Sequence, residues 1–294
     1  MEKLYSPSVI MNIQRRYGFR AAKSLGQNFL TDKNTIDHII EYADIGENDL
    51  VIEIGPGMGV LTAAAADKAA FVVAVELDQR LIPILEDNLT HYNNIQLINA
   101  DILKTDVNGI IKARRTDHSS VKIIGNLPYY ITNPIIMKLL EDKADADSMT
   151  FMLQKEAAVR ICAEPGAPDC GAVSAAVRFY CVPHIVMSVS REVFVPRPNV
   201  DSSVIRLDLT GEKAVAPLSE KMFFAVVRAG FGQRRKTLLN SLTGMSGFSK
   251  DDVGRILTAA GVNPARRAET LNIHEISEIA DAAVDVLNTS TANI

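Results

Sequence analysis

No apolar run in the chain approaches the roughly 18 residues that a membrane span requires, so it is not read as a membrane protein. The opening MEKLYSPSVIMNIQRRYG has neither a continuous apolar core nor a small-residue cleavage site, and no secretory signal is expected. Cysteine is scarce: Cys162, Cys170 and Cys181 are odd in number, and their spacing fits neither a zinc site nor a redox pair. Thiols used this way belong in a reducing compartment, so the expected location is the cytoplasm. No metal is expected, and no repeat or low-complexity segment occurs. The phosphate-clamping motif G-x-x-x-x-G-K-[ST] is absent as well. Two stretches lack acidic residues altogether. From Lys3 to Thr31 the charges are Lys3, Arg15, Arg16, Arg20 and Lys23; from Met222 to Ser249 they are Arg228, Arg234, Arg235 and Lys236. A net charge of −4 excludes a protein that coats nucleic acid indiscriminately, yet it leaves two local positive regions.

What is present alternates. The β-branched apolar runs LVIEI (50–54), FVVAV (71–75), IQLI (95–98), VKII (121–124) and MTFML (149–153) are separated by helical patterns such as Asp78 to Leu89 and Asn133 to Leu140. That is a βαβ alternation, and it predicts a mostly parallel sheet covered on both faces. Ahead of it, Asn34 to Tyr42 sets Ile36, Ile39 and Ile40 on one helical face, with Thr31 or Asp32 as N-cap. After SVIRLDL (203–209), a further strand, the β-branched runs stop and helical spacing takes over from Pro217. The stretch Thr210 to Ala216 therefore predicts a linker, with domains at 1–210 and 211–294. The expected fold is α/β, a Rossmann-like sheet with a small C-terminal helical domain.

EIGPGMG (53–59) closes the first strand of that sheet. Gly55, Gly57 and Gly59 allow a sharp turn and close approach of a ligand, but the spacing is G-x-G-x-G and not the G-x-G-x-x-G of a nicotinamide site. Glu76 ends the second strand, where a carboxylate accepts from both hydroxyls of a ribose. Asp101 follows the third, where it accepts from an adenine amine. Either acid alone reads more readily as a solvated loop residue. Together with the glycine turn they sit at the carboxyl ends of three successive parallel strands, which predicts one ligand crevice. With no basic residue in the turn, S-adenosylmethionine fits the crevice better than NAD or ATP, because it is a cation without phosphate.

GNLPYY (125–130) ends a fourth strand in the same crevice. The exocyclic amine of adenine is a weak nucleophile because its lone pair is delocalised into the ring. The side-chain oxygen of Asn126 and the carbonyl of Leu127 are positioned to accept from its two N–H groups and aim the lone pair at a methyl donor. Pro128 fixes the turn, and Tyr129 stacks on the base. These residues, with LGQNFL (25–30), VELD (75–78), NAD (99–101), FMLQKE (151–156), FVPRPNVDS (194–202), FGQRRKTL (231–238) and RRAETL (266–271), give the chain its resemblance to the KsgA-type family of ribosomal RNA adenine N6-dimethyltransferases.

The resemblance implies S-adenosylmethionine contacts at Asn28, Leu30, Gly55, Gly57, Glu76, Asp101 and Asn126. It also implies a second aromatic, Phe194, against the far face of the flipped adenine. The implied reaction is dimethylation of two adjacent adenosines near the 3′ end of small-subunit (16S) ribosomal RNA, within a partly assembled subunit, by a monomer. Two alternatives stay open. One is the related large-subunit adenine methyltransferase of the macrolide-resistance type; the other is an assembly factor whose catalysis is secondary. Arg234, Arg235 and Lys236 are read as RNA-binding: they open a helix, where the dipole disfavours cations unless phosphate compensates.

Overall fold

The structure, a computed structural model, describes residues 4–22, 25–116, 119–209, 214–233 and 235–291. Helices α1 (Pro7–Arg16) and α2 (Lys33–Tyr42) flank a short strand, β1 (Phe29–Leu30). Asp32 is the N-cap of α2, its carboxylate accepting from the Thr35 amide at 2.8 Å, and Ile36, Ile39 and Ile40 are buried beneath. Then follow β2 (Leu50–Ile54), α3 (Val60–Ala66), β3 (Phe71–Glu76), α4 (Ile82–Asn88), β4 (Ile95–Asn99), α5 (Val107–Arg114), β5 (Val121–Asn126), α6 (Thr132–Glu141) and β6 (Ser148–Gln154). The chain continues through α7 (Lys155–Cys162), α8 (Ala172–Tyr180), β7 (Val182–Val189), β8 (Phe194–Val195) and β9 (Ser202–Asp208). The last helices are α9 (Glu220–Gly232), α10 (Leu238–Leu242), α11 (Lys250–Ala259) and α12 (Ile273–Thr291). Among the described residues no helix is long and apolar enough to cross a membrane.

Among these elements, seven strands form one sheet in the order β4-β3-β2-β5-β6-β9-β7. The pairs β4/β3, β3/β2, β2/β5 and β5/β6 are parallel, as the βαβ alternation predicts, whereas β9 runs antiparallel to β6. Strand β2 is buried at every position, as a parallel strand covered on both faces must be. From β2 the chain moves outward through β3 and β4, then returns to lay β5 on the other side of β2. The connections part there, and a crevice opens at the carboxyl ends of β2 and β5. A separate two-stranded ribbon pairs β1 with β8, setting Leu30 opposite Phe194.

The described residues divide into two compact units. The first holds the stretches 4–158 and 183–209, and the second holds 159–182 and 214–291. The boundary expected between 210 and 211, with Gly211, lies outside the described residues. The stretch 159–182 departs from the expected division, which leaves it in the first domain. Its packing explains why: Ala175 and Phe179 of α8 are buried in the core of the helical unit, with the Phe179 and Phe223 ring centroids 4.7 Å apart. In sequence, a helix that follows a strand reads as one covering the sheet. Strand β7 was likewise hidden, because it lies at the sheet edge with Val182, His184 and Ile185 exposed and has no clean alternation.

Candidate active site

The geometry of the crevice starts from two glycines. Gly125 precedes Asn126 on β5, and a Cβ there would stand 2.6 Å from the Ile54 carbonyl oxygen, so only glycine lets β5 run this close to the end of β2. Gly55 follows β2 with φ +68°, a left-handed conformation that favours glycine, and the direction of its missing Cβ is open space. These two positions bring the glycine turn and the NLPYY turn to one cleft. The space within it, the open solvent at its mouth included, is about 1070 Å³. Asn28, Leu30, Gly55, Gly57, Glu76, Asp101, Asn126, Leu127, Pro128 and Tyr129 all line it. Among the described residues, its wall carries Glu53, Glu76 and Asp101 but no Lys, Arg or His.

Each acid is held differently. Glu76 is 6% exposed, and its carboxylate accepts from the Asp78 amide at 2.8 Å and the Gly57 amide at 3.3 Å. Burial pushes its pKa up, and the two backbone N–H groups oppose that. Asp101 caps a turn, accepting from the Leu103 amide at 3.0 Å, and its side chain stays 30% exposed. Glu53 is a cleft residue: it opens the motif EIGPGMG, but only the glycines of that motif were assigned a role. It is buried on β2, its Oε2 has no hydrogen-bond partner, and burial, with the charge of Glu76 added, pushes its pKa up to about 8. The available signal was an acid inside the otherwise apolar strand LVIEI.

Asn126 is the hinge of the polar geometry. Its Nδ2 donates to the Asn28 carbonyl at 3.0 Å, while Asn28 Nδ2 donates to the Gly26 carbonyl at 3.0 Å. Leu127 has its amide on the Met152 carbonyl at 2.9 Å, and none of the described residues donates to the Leu127 carbonyl. Two acceptors, the Asn126 Oδ1 and the Leu127 oxygen, are thereby left without a donor among the described residues. Pro128 accepts from the Ile131 amide at 3.1 Å, closing the turn. Tyr129 is half-buried, with its hydroxyl 2.8 Å from the Ser202 hydroxyl. A second link binds the N-terminal loop to the cleft: Gln27 Nε2 donates to Asp78 at 2.8 Å, and the Ala22 amide donates to Gln27 Oε1 at 2.8 Å.

Phe194 does not open onto the cleft in this structure. It is 3% exposed, absent from the cleft wall, and packed in a core cluster with Leu30, Ile36 and Val204. Its pairing opposite Leu30 in the β1/β8 ribbon fixes it there, so no aromatic of that strand faces the cleft. Of the basic cluster, Arg234 lies outside the described residues. Arg235 and Lys236 are exposed in the turn between α9 and α10 and have no acidic partner among the described residues. They precede the α10 N-cap, Thr237, but they also follow the end of α9, where the dipole favours cations. The helix dipoles therefore do not single these cations out for phosphate, while their exposure does leave them open to it.

The sequence profile described as ribosomal RNA adenine dimethylase matches residues 18–283. The chain belongs to this family. It is 46% identical over 287 residues to the ribosomal RNA small subunit methyltransferase A of Bacillus cytotoxicus, covering 97% of this chain and 98% of that one. With the protein of the same name from Alkaliphilus metalliredigens it shares 48% over 280 residues, covering 95% and 97%. A solved dimethyladenosine transferase from Plasmodium falciparum shares the fold with a TM-score of 0.72 at 23% identity, covering 90% and 98%. The 23S rRNA methyltransferase ErmE gives 0.66 at 26% identity, covering 87% and 99%. A ribosomal RNA adenine dimethylase is a methyltransferase, and its donor is S-adenosylmethionine. The wall fits that donor on chemical grounds: acids without a cation suit a phosphate-free cation, Glu53 offers an unpartnered buried oxygen, and the space over Gly55 is open.

Proposed function

We propose that this dimethylase methylates N6 of two adjacent adenosines near the 3′ end of small-subunit ribosomal RNA, acting as a monomer on a partly assembled subunit in the cytoplasm. The observation that carries the reading is the commitment of the Asn126 amide nitrogen to the Asn28 carbonyl at 3.0 Å. It leaves the Asn126 oxygen and the Leu127 carbonyl as a pair of acceptors in an acidic cleft that has no cation among its described lining residues. An adenine amine bonded to both is turned so that its lone pair stands clear of the ring, and no base is needed until the nitrogen has become cationic. Positioning supplies most of the rate. Tyr129, tethered through Ser202, is the face on which the base stacks.

Toward the donor, Glu76 takes the ribose hydroxyls and Asp101 the adenine amine, while Gly55, Gly57, Asn28 and Leu30 form the surface on which it lies. S-adenosylmethionine supplies, when bound, an electrophilic methyl group on a sulfonium. Arg234, Arg235 and Lys236 contact RNA phosphate. Identity of 46–48% with small-subunit enzymes, against 26% with the large-subunit enzyme, supports the small-subunit choice.

The test is incubation with labelled S-adenosylmethionine and small subunits from a strain lacking the modification, followed by mapping of the labelled nucleotides. Label on two neighbouring adenosines near the 3′ end is expected. No label on small subunits, with label on large-subunit RNA when large subunits are supplied instead, overturns the reading. Calorimetry of Glu76→Ala tests the donor assignment: donor affinity should fall while RNA affinity holds, and an unchanged donor affinity removes the ribose role.

A further inference from the structure

The second ring of GNLPYY, that of Tyr130, also lines the cleft. Tyr130 is 56% exposed, in a turn where Asn126 to Tyr129 are buried or half-buried. Its hydroxyl bonds to none of the described residues, whereas the Tyr129 hydroxyl is tied to Ser202. The two neighbouring rings therefore part, one anchored toward β9 and the other laid along the N-terminal loop. A Cβ placed on Gly26 would stand 3.6 Å from Tyr130 Cδ1 and 3.6 Å from Pro128 Cβ, so an edge of the ring lies beside Gly26 and an alanine there would touch it. The Asn126–Asn28 hydrogen bond ties the same two segments together, and Tyr130 lines the cleft between them. An aromatic side chain seated on one edge, with more than half its surface in water, gains little for folding.

A base that enters the cleft must leave its stack, and the base next to it in the strand then loses a stacking partner. We propose that Tyr130 is the platform for that neighbour: a substrate-positioning residue that stacks the unpaired base adjacent to the adenine in the cleft. The inference rests on the reading of the cleft as an adenine N6-methyltransferase site. Stacking on an aromatic ring tolerates any base, so Tyr130 selects for an unstacked neighbour and not for its identity. Two adenosines in succession suit it in either register, since one takes the ring while the other takes the cleft.

The test uses the full chain and small subunits reconstituted around RNA that carries either the natural pair of adenosines or an abasic residue beside the target. Tyr130→Leu keeps an apolar side chain beside Gly26 but offers no ring face, and Tyr130→Trp keeps a face. With the natural pair, the Leu variant should raise KM for the subunit by roughly five- to a hundredfold, and the Trp variant should restore it. Donor affinity by calorimetry should be unchanged in both. With the abasic neighbour, wild-type and Leu variant should have the same KM. A wild-type KM in the Leu variant overturns the platform, as does a KM increase that persists with the abasic neighbour. A fall in donor affinity matching the KM increase overturns it too, and makes Tyr130 a support for the N-terminal loop. If wild-type protein methylates neither substrate, the methyltransferase reading falls with it; if wild-type methylates the natural pair, only the platform is at stake.

Discussion

Asn126 holds its amide nitrogen on the Asn28 carbonyl, so only its oxygen faces an incoming amine. After one methyl transfer that amine retains a single N–H, and one of the two acceptors has nothing to bind. Asn126→Ala should therefore slow the first transfer by about one to two decades, the equivalent of roughly 1–3 kcal/mol of orientation, and slow the second less. Single-turnover rates on unmethylated and monomethylated subunits check this. Equal defects on both would assign the effect to the Asn28 loop. Glu53 gives a prediction of a different kind. Its carboxyl titrates near 4.5 in the unfolded chain and near 8 in the folded one, so between those values the folded state holds the extra proton. Stability then falls as pH rises through that window. Glu53→Gln should flatten the fall in melting temperature between pH 5 and 8 measured without donor. A slope as steep as wild type in the variant would trace the dependence to other groups.

At the scale of elements, most of the sheet and most of the cleft could be read from the sequence. Runs such as LVIEI and FVVAV are apolar nearly throughout because parallel strands are covered on both faces, and most of the acids and glycines that break the pattern do so at strand ends. Glu76, Asp101 and Asn126 were visible for that reason. Glu53 was not, because it sits inside its strand. The burial of Phe194 was not legible, because its partner Leu30 on β1 lies 164 residues earlier in the chain (194 − 30), and nothing local marks that pairing. The turn between α9 and α10 shows the opposite case: its cations were plain in sequence, while their relation to the helix ends was not. Replacing Arg234, Arg235 and Lys236 with Ala should weaken RNA binding and reduce the log–log salt slope by about one for each phosphate no longer neutralised. Titrations at several salt concentrations measure it. An unchanged slope would make this turn a solvated surface.

For the whole molecule, two cores imply two responses to one ligand. The cleft is lined by the first unit alone. Saturating S-adenosylmethionine should slow amide hydrogen exchange at 25–31, 53–60 and 126–131, and leave α9, α11 and α12 at their ligand-free rates. Mass spectrometry of exchanged peptides distinguishes this from protection spread evenly over the chain, which would mean that the helical unit orders with the donor.

The interleaving of those two units also sets a timetable for synthesis. Helix α8 is made before the last three strands, yet the ring that packs on its Phe179 is Phe223, 44 residues later (223 − 179). At about 5–20 residues per second, a nascent chain carries that apolar face uncovered for a few seconds, and over the last 15 residues of that interval (223 − 208) β9 is already made and the sheet can close. Each new molecule thus passes through a stage in which its enzyme core is finished and one helix waits, sticky, for a partner still inside the ribosome.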